Sequence, residues 1–418
     1  MRIILSSFLM LIFLLSRPAH GQIILEDCQT KARENFPLIK QYELIERSKE
    51  YTLSNASKSY LPQLDVTLIG GVISGLPSFS PPGSESSSSV DLNMITVLQL
   101  NQVIWDGGIT KAKKGIIEAS TEMEKADVEV SLYALEDRVN NLFFGVLLID
   151  EQLQQMEILK STLQRNMKRV DIAVENGTAF KSDIDEIQVE VINVDQKIEE
   201  LSSNRNAYLS VLSAMIGQSI EENAVLTRPV ADDADLTLEN NRPELRLFQN
   251  QENIIEAQSE IDKSMLYPKI GILGFGTFIQ PGADFGTSKL NNIFVGGLSL
   301  NWSLGGLYKN GNNKKITEIN LQKVQVQRET FLFNTNLELT QTQLELEKYK
   351  TLIDQDKELL TLKNRIKNAY DVKYENGIST MSELLDRTNE ESIARQNLIV
   401  HEIQYLMKAY QYKNKSGN

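Results

Sequence analysis

Apolar residues recur along this chain at a spacing of three and a half positions, over stretches far longer than an ordinary helix. From Val128 they fall at Leu132, Leu135, Val139, Leu142, Val146, Ile149, Leu153 and Met156. Lys160 interrupts the stripe, which resumes at Leu163, Met167, Val170 and Val174. A 3.5-residue period keeps one seam facing a partner helix, the pattern of a coiled coil. Gly and Pro are nearly absent from Lys111 to Glu175, so the pattern predicts a helix over about 109–175. At ~1.5 Å per residue it would be on the order of 100 Å long. A second stripe, Ile184, Ile187, Val191, Val194, Ile198 and Leu201, predicts a return helix over about 180–217. Later in the chain Leu332, Leu339, Leu346, Ile353 and Leu360 stand seven apart, beside Leu352, Leu359 and Ile366. They predict a long helix over about 310–375 and a return helix over about 380–411.

Each long helix stops at the same kind of residue pair, Asn176-Gly177 and Asn376-Gly377. Glycine accepts a positive φ at a helix C-terminus without steric cost. The next helix follows within a few residues, and Thr380-Met381-Ser382-Glu383 has the form of a capping box. Residues 176–178 and 376–378 are therefore read as the tips of two helical hairpins. Their repetition at matched positions suggests a shared task.

Elsewhere the period drops to two. Leu64, Val66 and Leu68 alternate with Asp65 and Thr67; Leu98 and Leu100 with Gln99 and Asn101; Leu298, Leu300 and Trp302 with Ser299, Asn301 and Ser303. Ile270, Leu273 and Phe275 lie in a Gly-rich run. These segments predict strands over about 61–71, 92–105, 268–280 and 292–304. Ser78 to Ser89 is rich in Pro and Ser and reads as a loop, and Gln280 to Asp284 joins the second pair. Four strands cannot close on themselves, and open edges aggregate. They form either a small soluble sheet flanked by helices or one chain's share of an oligomeric barrel. Their alternation favours the barrel.

The same landmarks occur twice in the same order. Gly177 and Gly377 are 200 positions apart, and Leu98-Gln99-Leu100-Asn101 is echoed by Leu298-Ser299-Leu300-Asn301. Gly107-Gly108 is matched by Gly305-Gly306, and Tyr60-Leu61-Pro62 by Tyr267-Pro268. The expected organisation is two structural repeats, 22–225 and 226–418, behind a signal peptide at 1–21. The signal has Arg2, an apolar run from Ile3 to Leu15, and a cleavage site at Ala19-His20-Gly21. No other segment is apolar enough to span a membrane as a helix, so a membrane location requires a β-barrel.

Composition narrows the function. A net charge of −13 argues against nucleic acid or anionic lipid as the main partner. The single cysteine, Cys28, forbids an intrachain disulfide and reads as a small buried hydrophobe. It follows Leu25-Glu26-Asp27, a poor lipidation context. Of two histidines, His20 lies in the signal and His401 on a late helix, where a surface position is expected. No Walker A, GxSxG or HExxH pattern is present. The expectation is a protein that is not an enzyme and has no cofactor and no metal.

Taken in order, these residues resemble the TolC family of outer-membrane efflux and export channels. The most specific stretch runs from Tyr374-Glu375-Asn376-Gly377-Ile378 through Glu383-Leu384-Leu385-Asp386 to Ala394-Arg395-Gln396-Asn397-Leu398. The resemblance implies a mainly α-helical fold with transmembrane β: a coiled-coil α-barrel, plus four strands per chain in a twelve-stranded barrel shared by a homotrimer. It places the protein in the bacterial outer membrane, in contact with its lipid, with a helical tunnel in the periplasm. It implies a periplasmic adaptor (membrane fusion) protein and an inner-membrane transporter as partners. The tips Asn176, Gly177, Thr178, Asn376, Gly377 and Ile378 would dock the adaptor. The gate lock would comprise Tyr374, hydrogen bonded to Asp183, with Ser182 adjoining. Ser379 stands where the family has an arginine, so the charged link is expected to be missing. Glu383 and Asp386 would form an acidic pore constriction.

Two other readings compete with an efflux duct. One is the outer component of a type I protein secretion system. The other is a soluble periplasmic coiled-coil scaffold with small β-caps.

Overall fold

The computed structural model describes residues 23–72, 92–230, 240–280 and 291–418. The signal peptide, the Ser78–Ser89 loop and residues 281–284 of the second connection lie outside them. In chain order the elements are α1 (Leu25–Asn35), α2 (Gln41–Ser57), β1 (Gln63–Val72), β2 (Leu92–Trp105), α3 (Ile109–Glu175) and α4 (Lys181–Ile216). After these come α5 (Pro243–Ser264), β3 (Lys269–Gln280), β4 (Asn291–Asn301), α6 (Gly305–Glu375) and α7 (Met381–Ser416). The chain falls into two compact units. One comprises Met1–Gln41, Val128–Leu245 and Glu329–Asn418, the other Tyr42–Asp127 and Arg246–Arg328. Each unit draws on both sequence halves, because α3 and α6 each contribute to both.

In the first unit the heptad stripe is the core. Leu163, Val170 and Ile187 have no exposure at all. They pack with Ile149, Met156, Val191, Val194 and Leu201, and with Met381, Leu384 and Leu385 from the start of α7. Burying a side chain of this size stabilises by about 1.5–3 kcal/mol, so the α3–α4 seam is the main source of cohesion there. A second cluster joins α1 to the same helices. Leu25, Cys28 and Ala32 pack against Val139, Phe143, Phe144, Leu212 and Leu406. The corresponding stripe on α6 is far less enclosed. Leu346 is buried, but Leu332, Leu339, Ile353 and Leu360 are only half-buried. Phe333, Leu337, Leu344, Leu359 and Ile366 are exposed.

His401 is not a surface residue. Its Nδ1 lies 2.5 Å from Oδ2 of Asp356 on α6, and its ring is 5.9 Å from that of Tyr349. The packing of α7 against α6 brings this position to the Asp356 carboxylate.

In the second unit the four strands form one antiparallel sheet in the order β1-β2-β3-β4. The register aligns Leu64 with Leu100, Val66 with Leu98, and Leu100 and Leu98 with Gly274 and Gly276. Across β3, Ile270 faces Leu300 and Ile272 faces Leu298. Directly paired residues share a face, so these leucines, isoleucines and Val66 make one continuous apolar surface. The opposite face carries Gln63, Asp65, Gln99, Asn101, Ser299 and Asn301 near one end, interrupted there by Leu273 and Phe275 of β3, which pair with Asn101 and Gln99, and further apolar residues beyond. The glycines of β3 have a packing reason: a Cβ on Gly276 would lie 2.9 Å from the Phe294 ring. Trp302 falls just past the end of β4, and its indole N–H donates to the Leu266 carbonyl at 3.1 Å.

The β2–α3 junction is held by Asp106, which is buried. Its carboxylate accepts from the Tyr60 hydroxyl at 3.0 Å and from the backbone N–H of Gly108 and Thr110 at 2.9 and 2.7 Å. The matched Gly-Gly pairs are not conformationally alike. Gly107 and Gly108 have positive φ before α3, whereas Gly305 and Gly306 already belong to α6. The first half has the buried carboxylate of Asp106 just before its glycines to organise such a turn; the second has Leu304 just before Gly305.

Two outcomes follow from this packing. Cys28 is buried in mid-helix, and desolvation pushes its thiol up to about 11. Maleimide labelling of the folded protein at neutral pH should therefore be negligible and should become fast on denaturation. A raised thiol pKa contributes stability below the ordinary thiol range that is lost as pH rises toward about 11. Burial pushes the Asp106 carboxyl up, but hydrogen bonds from Thr110, Tyr60 and Gly108 outweigh it and leave the pKa lowered. Its contribution is thus present above the ordinary aspartate range and lost in acid. Asp106→Ala should cost roughly 1–3 kcal/mol at neutral pH, read by denaturant unfolding, with a smaller deficit at low pH.

Candidate functional site

The two hairpin tips are built the same way. At the first, the N–H of Gly177 donates to the Val174 carbonyl at 3.0 Å and that of Thr178 to Ala173 at 2.8 Å. At the second, Gly377 donates to Tyr374 at 3.0 Å and Ile378 to Lys373 at 2.8 Å. This pair of bonds is the Schellman ending of a helix. It requires the left-handed backbone that both glycines adopt, with φ of 73° and 71°. The asparagines contribute too. Asn176 Nδ2 donates to the Ile172 carbonyl and Asn376 Nδ2 to Val372, each at 2.8 Å.

Matching carboxylates start the return helices. Asp183 Oδ2 accepts from the backbone N–H of Phe180 at 3.0 Å. Glu383 Oε2 accepts from the N–H of Thr380 at 3.0 Å, while Thr380 Oγ1 accepts from the Glu383 N–H at 3.2 Å. The capping box expected at Thr380 is formed. The two carboxylates occupy the same N3 position, one as the expected lock partner and the other as the expected constriction. Phe180 and Ile378 remain 78% and 74% exposed at the tips.

Tyr374 packs against the α3–α4 core with Tyr370. Burial raises its phenol pKa, the charge of Asp183 raises it further, and Arg169 partly offsets both. Among the described residues, however, no hydrogen bond joins the Tyr374 phenol to Asp183. The carboxylate is turned instead onto its own helix terminus. Ser182 is exposed. Ser379 is half-buried, and its Oγ donates to the Tyr370 carbonyl at 3.4 Å. Asp386 is exposed on α7, one turn beyond Glu383, with Leu384 and Leu385 between them buried.

Residues that sequence reasoning passed over lie beside these. Arg169 on α3 reaches α6: Nη1 is 2.9 Å from Asp371 Oδ1 and Nη2 is 3.0 Å from Glu375 Oε1. Its Cζ stands 6.0 Å from the centre of the Tyr374 ring. Asn389 on α7 donates to Glu190 on α4 at 3.4 Å. A signal for Arg169 did exist. It immediately precedes Val170 and so flanks the apolar stripe, where coiled coils place their interhelical ion pairs.

No protein-family model matches the sequence, and no curated protein matches it. Solved structures do. The outer membrane protein VceC from Vibrio cholerae superposes with a TM-score of 0.66 at 11% identity, covering 94% of this chain and 96% of its own. A membrane protein from Pseudomonas aeruginosa gives 0.67 at 16% identity, covering 94% and 90%. The open state of the MtrE outer membrane channel of Neisseria gonorrhoeae gives 0.62 at 13%, covering 94% and 89%. The chain thus has the fold of TolC-like outer-membrane channel proteins along nearly its whole length.

The tip geometry can be checked directly. Gly177→Val or Gly377→Val forces a β-branched residue into left-handed backbone and should cost roughly 1–2 kcal/mol. Asn at either position should cost less. Amide exchange at Thr178 and Ile378, whose N–H groups close the two Schellman motifs, should rise accordingly.

Proposed function

We propose that this chain is one subunit of a passive outer-membrane channel, a trimer that conducts solutes from a periplasmic helical tunnel to the exterior. The observation that carries the proposal is the sheet. It has a continuous apolar face and two outer strands, β1 and β4, whose far edges have no partner among the described residues. Such edges are pairing templates. In an antiparallel sheet of four, β1 and β4 run in opposite directions. The β4 edge of one copy can therefore take up the β1 edge of the next without breaking the antiparallel order. Three copies would close twelve strands. The Leu64–Leu100–Leu300 face would then meet outer-membrane lipid, with Ser299 and Asn301 toward the lumen. The exposed stripe on α6, with Phe333, Leu337 and Leu344, supports the same reading, since a neighbouring copy would cover it.

In that assembly the tips would meet a periplasmic adaptor protein, with an inner-membrane transporter supplying the energy. The repeated Schellman turns support this role because they present Phe180 and Ile378 as rigid exposed apolar groups. Glu383 and Asp386 would line the narrow end, with Asp386 the freer carboxylate because Glu383 caps its helix. The lock would consist of packing around Tyr374 and the charge of Asp183, with no direct hydrogen bond within one chain.

The protein should purify as a detergent-requiring trimer that conducts ions in planar bilayers. A monodisperse monomer in plain buffer would refute the proposal. Leu300→Arg should cost up to ~2–4 kcal/mol in a membrane folding assay if the residue lies near the midplane. Ser299→Arg should be tolerated far better.

A further inference from the structure

Both tryptophans of the chain, Trp105 and Trp302, stand at the same end of the sheet, where its strands turn into helices. A bulge after Val103 brings Trp105, rather than Ile104, opposite Ile270, which pairs in turn with Leu300. Directly paired residues share a face, so the bulge re-aims this indole onto the apolar side. Trp302 continues the alternation of Leu298 and Leu300 on that side. Leu266 and Tyr267, between α5 and β3, hold the two indoles. The Leu266 carbonyl accepts from Trp302, and the Tyr267 ring packs edge-on to Trp105 with 6.4 Å between centroids. Trp105 and Trp302 nevertheless remain 41% and 55% exposed. Exposed tryptophan at the rim of an apolar band marks a boundary between membrane and water.

Beyond that rim the chain is locally basic. The helix α3 opens with Lys111, Lys113 and Lys114 and has no acid before Glu118. The helix α6 opens with Lys309, Lys314 and Lys315 and has no acid before Glu318. Lys114 and Lys314, like the two glutamates, repeat at the same interval of 200 positions as Gly177 and Gly377. The helical rise puts all six lysines within about 15 Å of a helix start. The net charge of −13 for the whole chain conceals this segregation. Among the described residues none of the six is in an ion pair, whereas Lys125 is paired with Glu46 and Glu122, and Lys263 with Glu260. Lysines gathered without acids repel one another, so the isolated chain gains nothing from them. An anionic surface would supply the missing counter-charge.

We infer that these lysines form a basic collar that binds the phosphate headgroups of anionic phospholipid at the periplasmic boundary of the membrane, with the two tryptophans in the interface beside them. Lysine suits the task, because its stem lies along apolar surface and carries the charge out to headgroup level. A headgroup with its own ammonium, as in phosphatidylcholine, cancels its phosphate and answers six unpaired cations less well. The inference rests on the outer-membrane reading and adds the class of lipid.

The two indoles are the only tryptophans of the protein, so their fluorescence reports at the site itself. The test is its quenching by brominated lipid in phosphatidylcholine vesicles that hold the assembled protein. Brominated phosphatidylglycerol should quench more strongly than brominated phosphatidylcholine at the same mole fraction. The preference should fall as salt is raised, since the collar is exposed. Lys309→Gln should weaken it by up to about fivefold, the worth of one lysine near an anionic surface. Replacing all six lysines by Gln should abolish it and leave quenching by brominated phosphatidylcholine unchanged. Should that variant fail to assemble, the salt response of the wild type and the Lys309→Gln variant decide the matter. Equal quenching by the two lipids at low salt, or a preference that survives loss of the lysines, would overturn the collar and leave the outer-membrane reading standing. Loss of the preference to free inorganic phosphate at constant ionic strength would assign the lysines to a soluble anion and overturn the collar likewise. Indoles quenched by neither lipid would overturn the outer-membrane reading and the collar with it.

Discussion

The apolar seam between α3 and α4 is the constraint on which the rest of the first unit depends. Leu163, Val170 and Ile187 are wholly enclosed there, and the seam runs up to the residues that form the first tip. A 3.5-residue stripe fixes which side of each helix faces its partner. It also fixes which residues flank the contact and which are left outside. Arg169 is at a flank because Val170 is in the seam. Met381, Leu384 and Leu385 dock on the same seam. They bring the start of α7, and with it Tyr374, against the first hairpin.

Helix termini make the second demand. A chain that ends two very long helices within a few residues of starting two more must satisfy the backbone groups left free at each end. The molecule meets this identically at both tips, with a glycine in left-handed backbone, an asparagine amide on a carbonyl of the last turn, and an acid three positions into the return helix. This local need accounts for Asp183 and Glu383 as carboxylates. It also changes what they can do: an acid turned onto its helix terminus offers less to a phenol or a passing cation than its position in sequence suggests. Long-range charge still acts, since Asp183 raises the Tyr374 phenol pKa without touching it.

The sheet presents the opposite case, two outer strands whose far edges have no partner among the described residues. Its register places Leu64, Leu98, Leu100, Leu298 and Leu300 on one face. Glycines at 274 and 276 leave room for the larger side chains around them. The half-exposed stripe of α6 is unfinished in the same sense. In the proposed trimer, neighbouring copies would cover both surfaces.

Local periodicity was enough to locate the long helices, the tip turns, the Thr380 capping box and the four strands, because each depends on residues within a few positions of one another. The stripe from Leu132 to Val174 was legible for the same reason, whereas the burial of Cys28 was read from the general habit of lone cysteines. What depended on distant partners was not. Arg169 meets Asp371 and Glu375 only after both hairpins have folded and packed, and His401 meets Asp356 only when α7 lies against α6. Asp183 could have bonded either to Tyr374 or to its own helix terminus. Sequence could not rank the two, and the tertiary structure did: the Phe180 N–H lies three residues away and costs almost no chain entropy to reach, whereas the phenol must be brought in by another helix.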